Sequence, residues 1–202
     1  MIEFIPIFPS PVFKIDTNSN FKDIRSDLIN FCYSEKEKDI KGINRSNYNG
    51  WHSSVYTNEE KFKNYKSFIE DHLKVSLNKF LNDGTNFSIT SAWININDKK
   101  SSNSIHCHPG SHLSGCLWIK ATDKSGSFRF SNPNDFVQDA LLHFCNNETK
   151  SEFSFSTNYW FKPVEGFMIV FPSHINHCVF ENYDDEDRIS IAFNILFKKN
   201  EF

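Results

Sequence analysis

RISIAFNILF, residues 188–197, is the stretch whose reading decides the fold. Ile189, Ile191, Phe193, Ile195 and Phe197 alternate with Arg188, Ser190, Ala192, Asn194 and Leu196, the period of two that a β-strand with one greasy face requires. The other face is mostly small or polar and carries a cation at its head. Working back along the chain, short runs of the same character recur: HCVF (177–180), GFMIVF (166–171), GSFRF (126–130), SGCLWIK (114–120) and FSITSAWINI (87–96). A mainly β region is therefore expected beyond Gly84. The stretch 131–158 is too irregular to assign and reads as a lid or an insertion.

Before Gly84 the period changes. Phe21, Ile24, Leu28, Phe31 and Cys32 recur at helical spacing behind the capping candidates Asn18, Ser19 and Asn20, which predicts a helix over 20–35. EKEKDIKGINRSNYNG (35–50) reads as a surface loop leading to Trp51. Thr57 followed by Glu60 has the form of a capping box, and Phe62, Tyr65, Ile69, Leu73, Leu77 and Phe80 form one stripe that Asn82, Asp83 and Gly84 end. The expected organisation is a single domain over 1–202, with a strand and helices in 1–85 and a β core in 86–200. Its class is mainly β with flanking helices (α+β).

Composition narrows the function classes. At 202 residues and 39% hydrophobic content the chain can bury a core without disulfides. Its 22 basic and 25 acidic residues leave a formal charge of -3, so no bulk field favours nucleic acid or an anionic membrane. Five cysteines, none in a C-x-x-C pair, together with the absence of a signal-peptide pattern, predict a reducing, cytoplasmic location. No apolar run approaches the ~18 residues that span a bilayer. The 22 phenylalanines suit a β-rich core with large side chains.

Chemistry gathers in two histidine clusters, His106, His108 and His112 in HCHPGSH and His174 and His177 in HINH. Residues two apart on a strand share a face, so His106 and His108 can offer two imidazoles to one metal while Cys107 points away. A distant third ligand would complete a facial triad with open positions, and imidazole suits iron, copper, zinc and nickel alike. Read alone, an H-x-H is equally a surface or hydrogen-bonding pair. Arg188 has two readings as well. With Ser190 beside it on the polar face of its strand, its planar guanidinium can receive a dicarboxylate through paired hydrogen bonds. It can also simply pair with Asp184, Asp185, Glu186 or Asp187.

Taken together and in order, Trp93-Ile94-Asn95, HCHPGSHLSG (106–115), FPSHINH (171–177) and RIS (188–190) resemble the Fe(II)/2-oxoglutarate-dependent oxygenases, and within them the prolyl-hydroxylase-like family. The likeness covers about 87–197 and extends more weakly to FPSPVF (8–13) and NGW (49–51). It implies a double-stranded β-helix, or jelly roll, with the N-terminal helices on its major sheet. It implies further that His106 and His177 ligate Fe(II), and that Arg188 with Ser190 holds the distal carboxylate of 2-oxoglutarate. Where most of that superfamily has Asp or Glu, this chain has His108, taken as the third ligand. A halide-dependent variant would follow only if the register slipped to put Gly110 in that place. Asn95 and Trp118 are expected to line the co-substrate pocket together with Trp93.

The implied activity is hydroxylation of a small-molecule or peptide substrate, prolyl or other, with O2 as oxidant, succinate as by-product and ascorbate as an auxiliary reductant. A homodimer is the protein assembly to test for. Two rivals stand beside this reading. A cupin-type three-histidine enzyme would need no 2-oxoglutarate, but the cupin pattern expects a Glu shortly after H-x-H and residues 109–115 hold none. A metal-free binding module would keep the barrel without turnover. His112 and Ser111 are expected at the mouth, and His174 in an outer or surface position.

Overall fold

The structure is a computed structural model that describes residues 10–133, 143–152 and 156–199. In chain order the elements are β1 (Phe13–Asp16), α1 (Asn18–Lys38), β2 (Asn47–Tyr48), β3 (Trp51–His52), a 3-10 turn (Glu60–Phe62), α2 (Lys63–Leu77), β4 (Thr85–Asn97), β5 (Ser102–His106), β6 (Leu113–Lys120) and β7 (Phe128–Ser131). There follow α3 (Asn147–Glu152), β8 (Asn158–Phe161), β9 (Phe167–Pro172), β10 (His177–Val179) and β11 (Arg188–Lys199). The strands form two antiparallel sheets. The major sheet runs β1-β9-β6-β11-β4-β3 and the minor sheet β2-β5-β10-β7-β8. This is the expected double-stranded β-helix.

The alternation in 188–197 sorts the two faces of the major sheet. Ile189, Ile191, Phe193 and Ile195 join Ile94, Ile96 and Ala92 of β4 in one buried cluster with Phe21, Leu28 and Cys32 of α1 and Ile69, Leu73 and Leu77 of α2. The greasy face is thus turned to the helices. Each such aliphatic or aromatic side chain removed from water contributes roughly 1.5–3 kcal/mol, so this layer fixes β11 firmly. Its polar face looks into the space between the sheets. Gly115 of β6 is required here, because a Cβ would fall on the Phe193 ring. A second buried cluster between the sheets is largely aromatic, with Trp118, Phe128, Phe130 and Phe171.

Several sequence expectations change. The first helix runs on to Lys38, and its Glu35, assigned to a surface loop, is buried, accepting from Tyr56 Oη at 2.9 Å and pairing with Lys38 at 2.8 Å and Lys61 at 2.5 Å. Asn47–Tyr48 in the same loop is a strand. No capping box forms at Thr57, whose backbone N–H donates instead to the Glu59 carboxylate at 2.5 Å, and the chain enters α2 through the 3-10 turn. Phe80 lies beyond α2 and is exposed, touching the Phe13 ring edge-on. Of the irregular stretch 131–158, residues 134–142 and 153–155 lie outside the described residues, as do positions 8 and 9 of FPSPVF; β8 at its end pairs with β7. No helix among the described residues is long and apolar enough to cross a membrane.

Candidate active site

Register places the floor of the site. Along β4 and β11, Asn97 pairs with Arg188, Asn95 with Ser190 and Trp93 with Ala192, and on the other side of β11 Trp118 of β6 pairs with Ser190 and Cys116 with Ala192. Cross-strand partners share a face, and Trp93, Asn95, Asn97, Cys116, Trp118, Arg188, Ser190 and Ala192 border an open cavity between the sheets. Its opposite wall is the minor sheet.

There the two histidine clusters meet. His106 ends β5 and His177 opens β10, and the two are cross-strand partners. His108 lies just past β5, its backbone N–H tied to Ser173 O at 2.9 Å. The ligand-capable nitrogens of all three rings lie within 4.8 Å of one another. His108 Nε2 and His177 Nε2 are 3.2 Å apart, close to the separation two imidazoles take when both sit about 2.0–2.1 Å from one ion. His106 Nδ1 lies 2.7 Å from Ser104 O and His177 Nδ1 2.9 Å from Ile175 O. A carbonyl only accepts, so both rings carry the proton on Nδ1 and present the Nε2 lone pair inward, the arrangement that orients metal-binding imidazoles. His177 is further clamped by Phe128, stacked at 5.2 Å, and by Phe171 edge-on at 4.8 Å.

Electrostatics agree with this geometry. Burial, reinforced by the neighbouring His106, pushes His177 down to about 3 and His108 to about 4, and burial lowers His106 as well. At neutral pH the cluster is uncharged and needs to shed no proton to take up a cation. The donor set fits a divalent transition metal.

Arg188 occupies the other end. It is 1% exposed, and burial without a carboxylate partner lowers its pKa from the ordinary arginine value to about 10, so it remains charged at pH 7. None of the neighbouring acids neutralises it. Asp184 accepts from Thr122 Oγ1 at 2.7 Å, Asp185 pairs with Lys99 at 2.6 Å, Glu186 with Lys120 at 2.5 Å, and Asp187 accepts from Tyr33 Oη at 2.9 Å. Arg188 Nη1 donates to the carbonyls of Ser125 and, at 2.9 Å, Phe180. Among the described residues its Nη2 has no partner, and neither does Asn95 Oδ1. A buried cation with an idle donor beside a cavity can receive an anion, since leaving it unpaired is costly. Gly126 makes the cradle possible: at φ +73 it lets the loop press on the backbone of Phe180 and Glu181, where any Cβ would collide.

Other sequence expectations resolve unevenly. His112 does not reach the cavity; its Nδ1 accepts from Phe197 N at 2.9 Å and its ring stacks on Phe197, sealing the edge of β11. His174 is exposed, as expected of a surface position. Neither Cys107, exposed, nor Cys178, buried, borders the cavity. The sequence reading missed Cys116, Asn97, Asn103 and Ser46 among its lining residues, although Cys116 and Asn97 follow from extending the period of two from Trp118 and Asn95.

Comparisons with known proteins bear on the whole. The solved structures include a Pseudomonas putida prolyl-4-hydroxylase, matched with TM-score 0.62 at 14% identity over 95% of this chain and 94% of that one. They include a Trichoplax adhaerens prolyl hydroxylase in complex with a hypoxia inducible factor oxygen degradation domain peptide fragment, with TM-score 0.61 at 10% identity over 92% and 83%. A third, HygX from Streptomyces hygroscopicus with nickel and 2-oxoglutarate bound, matches with TM-score 0.56 at 11% identity over 96% and 84%. At such identities the likeness is one of fold. No curated protein sequence matches significantly. A family model described as "Putative 2OG-Fe(II) oxygenase" matches residues 91–194, just over half the chain and the span that holds every cavity-facing residue of β4, β6 and β11 as well as the three histidines. The chain belongs to this family of oxidoreductases, which work with Fe(II), 2-oxoglutarate and O2.

Proposed function

We propose that the protein is a hydroxylase in which His106, His108 and His177 hold the iron and Arg188 and Ser190 receive the distal carboxylate of 2-oxoglutarate. Asn95 and Trp118 then border the carbon chain between them. The observation that carries this reading is Arg188, a buried cation with an unpartnered Nη2 that faces the same cavity as the three imidazoles. In balance, a substrate C–H, O2 and 2-oxoglutarate become C–OH, succinate and CO2. When bound, the iron and its co-substrate supply the oxidising power, and ascorbate serves to keep the metal ferrous.

The protein's own residues bind, orient and exclude water. Carbonyls of Ser104 and Ile175 fix the tautomers of His106 and His177, the loop around Gly126 aims the guanidinium, and Trp118, Phe128 and Phe171 keep the interior dry. A peptidyl or small-molecule substrate is the class that the fold neighbours support, the prolyl hydroxylases favouring a peptide. Incubation with Fe(II), ascorbate, 2-oxoglutarate and a panel of proline-containing peptides tests it through succinate release and a mass gain of one oxygen. Metal-loaded protein with no measurable affinity for 2-oxoglutarate would refute the assignment.

A further inference from the structure

The three imidazoles are not held alike. His106 and His177 each donate Nδ1–H to a backbone carbonyl, but His108 has no such acceptor among the described residues; its one side-chain hydrogen-bond contact is the 3.2 Å approach to His177 Nε2. Besides the imidazoles of His106 and His177, one further aromatic ring among the described residues packs on His108. Trp93 lies against it at 5.4 Å between centroids, tilted by 43°. On the indole, in turn, lies His52, stacked at 5.7 Å and 9° from parallel. His52 is buried and immobilised by donating Nδ1–H to Ser53 O at 2.6 Å. Its strand β3 is pinned to β4 by the pairing of His52 with Asn95.

We infer that Trp93, backed by His52, is the positioning residue for His108, taking the place that a carbonyl acceptor fills for the other two ligands. The inference rests on the reading of His108 as a ligand. A ring held by packing has no acceptor to drive its Nδ1 tautomer, so His108 is the most loosely preset arm of the site. A flat indole face resists rotation about the last side-chain torsion but constrains the in-plane position less than a hydrogen bond does.

Titration of the metal-free protein with Co(II), read by the visible ligand-field spectrum and by the dissociation constant, tests both levels. His108→Ala is expected to weaken Co(II) at least tenfold and change the spectrum; if it does neither, the ligand reading fails and the inference with it. Given that effect, Trp93→Leu is expected to weaken Co(II) about tenfold, the low end of the range for losing an outer-sphere partner, and to shift the spectrum towards that of His108→Ala. Trp93→Phe, which keeps an aromatic face, is expected to recover most of the affinity and the parent spectrum. Wild-type affinity and spectrum in Trp93→Leu, beside a weakened His108→Ala, would overturn the role of Trp93 and leave the ligand set standing. Should Trp93→Leu not fold, His52→Leu answers the question in histidine-labelled metal-free protein. His108 ring resonances are then expected to broaden while those of His106 and His177 stay sharp; equal behaviour of all three rings would overturn the inference.

Discussion

In the major sheet, β11 is paired on both sides, with β4 from Arg188 to Lys199 and with β6 from Ile189 to Ile195, and its back is buried under two helices. In the minor sheet, β10 is three residues long and β5 five, and their register shifts between His177 and Val179. The first sheet carries Arg188 and Ser190 and needs little help to place them. The second carries the histidines, and it places them with local devices: a carbonyl for His106, a carbonyl and two phenyl rings for His177, an indole for His108. A functional group on a long, packed strand inherits its precision from the core, whereas one on a short strand must obtain it from its immediate neighbours.

The largest expected effect tests the minor sheet. His177→Ala should abolish stoichiometric iron binding, measured by metal analysis after dialysis, with a loss exceeding the roughly 10–100-fold typical of outer-sphere changes. Retained iron at one equivalent would break the comparison, because the site would then not depend on β10. Next comes the major sheet. Arg188→Met should raise the 2-oxoglutarate dissociation constant by about a hundredfold or more, since removing one partner of a buried charge pair costs roughly 3–5 kcal/mol. The same variant without co-substrate should be no less stable than the parent, because an uncompensated buried cation is removed. A lower melting temperature for metal-free Arg188→Met would show that the two carbonyls of Ser125 and Phe180 already satisfy it.

Core variants sharpen the contrast. Phe193→Ala on β11 should destabilise by about 3–5 kcal/mol in denaturant unfolding. Gly115→Ala, which drives a methyl into the Phe193 ring, should cost about 1–3 kcal/mol. A pH dependence carried by the minor sheet is expected as well. The histidines have folded-state pKa values below the ordinary 6.5, down to about 3 for His177 and about 4 for His108, so below pH 6.5 the unfolded chain binds more protons. Stability contributed by keeping these rings neutral is therefore full above pH 6.5 and falls as the pH drops towards 4. Thermal melts of the metal-free protein across that window should show the decline, and His177→Ala should flatten it. Glu35, lowered to about 2 although burial opposes the shift, because Lys38, Lys61 and Tyr56 bond its carboxylate, adds a loss only below its ordinary value of 4.5.

What could be read in advance followed the same division. The period of two in RISIAFNILF located the sheet, its two faces and the cavity-facing Arg188 and Ser190, because alternation survives in sequence whatever it packs against. The H-x-H spacing gave His106 and His108 as a pair, but their meeting with His177 is a pairing of distant strands that no local pattern encodes. Glu35 looked like a loop acid because its burial depends on Tyr56, Lys61 and the start of α2 arriving from elsewhere. The Thr57 and Glu60 pattern failed for a related reason: Glu59 captured the Thr57 N–H first. His112 matched its neighbours in type, yet its ring is claimed by Phe197. His52 was invisible, since a lone histidine on a two-residue strand has no periodicity at all.

The fixed placement of Arg188 has one more consequence. Its guanidinium is set by the length of β11 and by the loop that Gly126 folds over Phe180, so it cannot slide along the cavity towards the histidines. If the co-substrate bridges them as proposed, the interval between cation and imidazoles would work as a ruler for it. On the proposed reading, a keto diacid one methylene shorter would be expected to satisfy one end less well, and the penalty of an idle guanidinium would then fall on the wrong-length acid, so that the Nη2 group would select chain length as well as hold charge.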